Sequence, residues 1–150
     1  MTNKTLTLNR LIDAPVESVF PLWIEAKHLA QWFAPKNFTV PFCDVDAQVG
    51  GEIRLDMQGP DGTRYPMRGV FIELVANERI VTRNQATVCD SEASLEVVNT
   101  ITFAAEGGKT RLSVHAEVLR VDRGMELSVA GMEEGWNQTL DKLEGIVALI

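Results

Sequence analysis

Histidine and cysteine are scarce in this sequence, with two of each among 150 residues. Cys43 and Cys89 form no CxxC pair and have no histidine close by, so neither a zinc site nor a dithiol redox motif is suggested. Neither is flanked by basic residues that would favour a thiolate, and each reads as a small, buried or half-buried hydrophobe. His28 belongs to a short helical stretch, and His115 lies on the polar parity of a strand beside Arg111, Ser113 and Glu117, so both read as solvated residues rather than bases or ligands. No HExxH, GxSxG or phosphate-cradling loop occurs; Gly50-Gly51 and Gly107-Gly108 read as turn glycines. The sequence therefore offers no metal site, no cofactor signal and no nameable catalytic residue.

Positive charge is also short. Fourteen Lys and Arg face twenty-one Asp and Glu, a formal charge of -7, and a nucleic acid backbone would repel that field. No run of about eighteen apolar residues exists, and the opening MTNKTLTLNRLIDAPV lacks a charged segment followed by an apolar one. Membrane insertion is not expected, and the cytoplasm is the expected compartment. Repeats, low-complexity tracts and linkers are missing too, so residues 1–150 read as a single domain.

What is present is pattern. Over Lys4 to Ile12, Leu6, Leu8 and Ile12 alternate with Thr5, Thr7 and Asn9, as in a strand. Asp13 can cap and Pro15 suits a first helical turn; Val16, Val19, Phe20, Trp23 and Ile24 then make an apolar stripe, and a second short helix, Lys27 to Phe33, stops before Pro35. From Asn37 to Glu117 the period is two. Phe38, Val40 and Phe42 are expected on one face, then Ile53, Leu55 and Met57, and Gly59-Pro60-Asp61-Gly62 signals a tight hairpin. Strands follow near Arg64–Val75, Arg79–Ala86, Leu95–Phe103 and Thr110–Leu119. Helical spacing returns at Val129, Met132, Trp136, Leu140, Leu143, Val147 and Ile150, with Glu133, Glu134, Asn137, Asp141 and Glu144 expected to face water. Gly131, Gly135 and Gly145 lower the helix propensity of that segment, through either close approach to a neighbour or simple surface tolerance. The expected fold is α+β: a curved antiparallel sheet wrapped around a long C-terminal helix, with two short helices after the first strand.

These residues resemble a known pattern. Arg10, Ile12, Ala14-Pro15, Val19-Phe20 and Trp23 are followed by Trp32-Phe33-Ala34-Pro35, then by Gly50-Gly51, Met57, Pro60-Asp61-Gly62, Tyr65-Pro66 and Gly69. Glu73-Leu74, Glu78-Arg79-Ile80-Val81-Thr82 and Gly135-Trp136 with Leu140 and Leu143 complete it. In this order they resemble the helix-grip fold of the START-like, or polyketide-cyclase, superfamily, and most closely its family named for the activator of heat-shock-protein-90 ATPase. The resemblance covers nearly the whole chain. It implies a space between sheet and helix that takes a small hydrophobic or amphipathic molecule. It also leaves two other readings: an enzyme of the polyketide cyclase or dehydrase type, and a chaperone-associated adaptor. A homodimer is compatible with it.

Met57, Met67, Met132 and Trp136, with Trp32 at the rim, are the candidate lining of such a space, against the competing reading of solid core. Two departures from the family pattern add Asn84, where an aromatic residue is common, and Asn99, which interrupts the inward row Leu95, Val97, Ile101 and Phe103. The two amides read as a hydrogen-bonded structural pair, as edge positions where the amide reaches water, or as ligand-recognising groups. Glu73 and Glu78 bracket a turn, and Arg79 and Arg83 share a strand face, which reads as an exposed charge row.

Overall fold

The structure, a computed structural model, describes residues 4–87, 94–122 and 130–149. Cys89, Val129 and Ile150 lie outside them. Strand β1 (Thr5–Ile12) leads into three short helical turns, α1 (Val16–Val19), α2 (Pro21–Ile24) and α3 (Ala26–Trp32). The first expected helix thus runs in two pieces, α1 and α2, meeting at Phe20 and Pro21. Pro15 is the residue before the first helical position, and no side chain caps that turn.

Strands β2 (Thr39–Val45), β3 (Glu52–Gln58), β4 (Arg64–Val75), β5 (Arg79–Thr87), β6 (Ser94–Glu106) and β7 (Lys109–Val121) follow, then helix α4 (Met132–Val147). They form one seven-stranded sheet in the order β1-β7-β6-β5-β4-β3-β2. Every pairing is antiparallel, and the first strand joins the last. The hairpin between β3 and β4 turns at Gly62, whose φ of +87° suits glycine, and its N–H donates to the Gly59 carbonyl at 3.0 Å. Lys109 and Thr110 follow the Gly107-Gly108 turn, but they enter strand β7 rather than a helix, so no phosphate cradle forms.

Alternation puts Ile53, Leu55, Phe71, Ile80, Ile101, Phe103, Leu112 and Val114 on the concave face, where they pack with Leu140, Leu143 and Val147 of α4. In β2 the expected parity fails. A register irregularity between Thr39 and Phe42, at Pro41, inserts a bulge, so Cys43 and Val45 turn toward the core while Phe42 is 40% exposed.

The polar side of α4 differs from expectation as well. Glu133 and Glu134 face water, whereas Asn137, Asp141 and Glu144 meet Arg10, which stands on the inward parity of β1. Its guanidinium donates to Asp141 Oδ1 at 2.8 Å, Glu144 Oε2 at 2.6 Å, and both the carbonyl and the side-chain oxygen of Asn137. Burial opposes the Arg10 charge, but the two carboxylates outweigh it and raise the Arg10 pKa, so the guanidinium stays charged.

Candidate functional site

The core fills only part of the space between sheet and helix. Toward the N-terminal end of α4 a cavity of about 430 Å³ remains. Its helix wall carries the small residues Gly131, Gly135 and Thr139, four apart and therefore on one face, flanked by Met132 and Trp136. Bulky side chains at those positions would close the gap. A Cβ at Gly135 would meet only Pro35 Cγ at 3.8 Å, whereas Gly145 faces open space. Close approach to a neighbour is therefore not what Gly135 serves: with Gly131 it borders the cavity, and Gly145 is a tolerated surface residue.

The sheet wall comes from inward positions of four adjacent strands: Met57 of β3, Met67 of β4, Asn84 of β5 and Asn99 of β6 among them. The connection from α3 to β2 forms the lip with Phe33, Pro35 and Phe38, and the Phe38 ring lies 5.8 Å from that of Tyr65. Three hydrogen bonds fix this connection to α4. Lys142 Nζ donates to the carbonyls of Pro35 and Phe38 at 2.9 Å each, and Gln138 Oε1 accepts from the Lys36 N–H at 3.1 Å. Burial lowers the Lys142 pKa.

Six of the seven sequence candidates, Met57, Met67, Asn84, Asn99, Met132 and Trp136, meet around this one space. Trp32 does not. It is 1% exposed, donates its indole N–H to the Leu22 carbonyl at 3.0 Å and packs edge-on to Trp23 with ring centroids 4.7 Å apart. The final turn of α3 points Trp32 into the core and leaves the next residue, Phe33, at the cavity. Phe33, Phe38, Tyr65 and Thr139 were not singled out by sequence reasoning. Leu95 and Val97, which also line the cavity, share the parity that identified Asn99 and could have been found by it.

A smaller hollow of about 30 Å³ adjoins the cavity, and Met67, Asn84, Asn99 and Trp136 border both. Thr82 and Trp23 complete its polar lining. Asn84 pairs with Val97 and Asn99 with Thr82, so the two amides are diagonal neighbours on the same face. They do not bond to each other. Asn84 Nδ2 donates to Thr82 Oγ1 at 3.0 Å, while Asn84 Oδ1, Asn99 Oδ1 and Trp23 Nε1 are buried without a partner. Gly69, opposite Asn84, makes room for it, because a Cβ there would sit 2.0 Å from Asn84 Oδ1.

Among the described residues, no Asp, Glu, His, Lys, Arg or Cys lines either space, and Tyr65 is the one titratable group at the large cavity. His28 lies 3.8 Å from Glu25 and His115 contacts Thr7 Oγ1, both away from the site. Arg79 pairs with Glu73 and Arg83 with Glu96 on the outer face. Cys43 is half-buried outside the cavity, its thiol pushed up to about 11 by burial, with Asp44 adding to the shift. No three His, Cys, Asp or Glu side chains among the described residues come together as a metal cluster. No helix there is long and apolar enough to cross a membrane.

Residues 13–148 match the model of the family described as Activator of Hsp90 ATPase homolog 1-like protein. Among solved structures, a Chromobacterium violaceum protein is 28% identical with a TM-score of 0.81, the match covering 95% of this chain and 96% of that one. A Nitrosomonas europaea protein is 27% identical with a TM-score of 0.79, over 97% of this chain and 94% of that one. An uncharacterised protein from Rhizobium leguminosarum is 25% identical with a TM-score of 0.79, over 99% and 96%. No curated protein matches the chain.

Proposed function

The chain belongs to the Activator of Hsp90 ATPase homolog 1-like family of the START-like fold, and from that premise we propose that it binds a small hydrophobic or amphipathic molecule between its sheet and helix α4. The observation that carries this reading is the cavity itself. Its volume of about 430 Å³ lies within the range of small-molecule sites, and its described lining is largely apolar, with four aromatic rings in it. Three of its side chains are methionines, whose unbranched thioethers adapt to varied apolar shapes. Burying a guest here removes apolar surface from water on both partners, and that supplies the driving force.

The described lining supports binding over acid–base catalysis, since no carboxylate, imidazole or amine stands there and the Tyr65 phenol is the one group that could move a proton. The family's name refers to activation of a chaperone ATPase, and no feature among the described residues favours that role over the cavity.

The test is a fluorescence titration with N-phenyl-1-naphthylamine, an uncharged probe that brightens in apolar surroundings. Wild type is expected to give saturable, single-site binding. Ala86→Phe, which adds a ring to the sheet wall, is expected to weaken it by about tenfold or more, because a filled pocket has no room for the guest. Binding absent in wild type, or equal in both proteins, would refute the reading.

A further inference from the structure

Resting on that reading, we infer that the ligand of this cavity is an uncharged alcohol or phenol whose hydroxyl seats between Asn84 and Asn99, at the junction of the large cavity with the small hollow. Both amides are more than nine-tenths buried, at 7% and 8% exposure, and both carry an oxygen with no donor in reach. An orphaned buried acceptor pays the desolvation cost without the bond that would offset it. On β6 the same parity otherwise holds Leu95, Val97, Ile101 and Phe103, so an apolar residue at position 99 would have filled the same wall at no such cost. Gly69 adds to the cost: glycine weakens a strand interior, and here it is the space for the Asn84 amide.

The third orphan sets the chemistry of the missing group. Trp23 lines the hollow together with both asparagines, and its Nε1 is a buried donor without a partner. A hydroxyl answers both kinds of group, since it donates its one hydrogen to an amide oxygen and accepts through its lone pairs. A carboxylate only accepts, would face the two amide oxygens, and finds no Lys or Arg among the described lining residues to balance its charge. An ammonium meets no carboxylate there. The apolar cavity takes the rest of the molecule.

The experiment displaces N-phenyl-1-naphthylamine with three compounds of similar shape: 2-naphthol, 2-methylnaphthalene and 2-naphthoate at neutral pH. In wild type, 2-naphthol is expected to bind about tenfold or more tightly than 2-methylnaphthalene, although it is the less apolar of the two, and tighter still than 2-naphthoate. In Asn99→Leu the preference for the hydroxyl should shrink to about twofold or less, while the thermal midpoint stays at or above that of wild type, because an orphaned polar group has been replaced by an apolar one. Equal binding of naphthol and methylnaphthalene to wild type, or a preference for naphthoate, overturns the hydroxyl inference and leaves the cavity reading intact. A lowered midpoint with unchanged preference in Asn99→Leu also overturns it, by making Asn99 a structural residue. If wild type takes up neither the fluorophore nor any of the three compounds, the cavity reading itself fails and the inference falls with it. The wild-type series decides by itself if the variant does not fold.

Discussion

Asn84 and Asn99 stand where the pattern of their strands calls for apolar side chains, and the structure gives neither amide oxygen a partner. Single residues carry most of the chemical information in this molecule, and they were legible to different degrees. Asn99 could be read from parity alone, because a polar residue in an inward row is conspicuous, and Asn84 from its departure from the family pattern. Trp32 could not be placed the same way: at a helix end adjacent positions point about 100° apart, so Trp32 and Phe33 differ completely in environment. Cys43 illustrates a third case, in which residue type suggested an inert thiol and geometry supplied the reason. Its folded-state pKa of about 11 lies above the ordinary 9.0, so between those values the native state holds a proton that the unfolded chain releases. Stability from this group is therefore complete below pH 9.0 and declines as pH rises toward about 11. Urea midpoints measured across that window should fall more steeply for wild type than for Cys43→Ala; parallel profiles would remove the effect.

At the scale of elements, the strands and the final helix followed from periodicity, while their irregularities did not. Pro41 was visible in the sequence, but whether an edge strand absorbs a proline by shifting register depends on its partner, and only the pairing with β3 shows that Phe42 and Cys43 exchange faces. The join between β1 and α4 was hidden for a related reason. Arg10 lies 127 to 134 residues from its partners, and no local spacing connects them. The fork of its guanidinium reaches three residues on successive turns of α4, which fixes the helix against the edge of the sheet opposite β2. Arg10→Ala is expected to cost about 1–2 kcal/mol, a value discounted because Asp141 is 68% and Glu144 42% exposed. Arg10→Lys should recover less than half of that, since an ammonium cannot make the same forked contacts. Chemical denaturation of the three proteins measures both, and full recovery by lysine would reduce the clamp to a simple charge effect.

On the scale of the whole molecule, the sheet and the helix are complementary along one half of their contact and deliberately mismatched along the other. Leu140, Leu143 and Val147 meet a dense apolar face, whereas Gly131, Gly135 and Thr139 leave the cavity open. The division falls within a single helix, so the same element closes the core and roofs the site. The order of elements and the family pattern made the architecture readable in the sequence. The cavity was not readable to the same extent, because methionine and tryptophan serve equally as solid core and as pocket lining, and only the packed side chains distinguish the two. The wall made by Phe33, Phe38 and Tyr65 depends on a connection held to α4 by Lys142 and Gln138.

The methionines also allow the site to be observed directly. Met57, Met67 and Met132 line the cavity on opposite walls. In a protein labelled at its methionine methyl carbons, saturating N-phenyl-1-naphthylamine is expected to shift the methyl resonances of Met57, Met67 and Met132 together, along one binding curve. Saturable binding that leaves those three resonances unmoved, or no binding at all, would contradict a ligand site between sheet and helix.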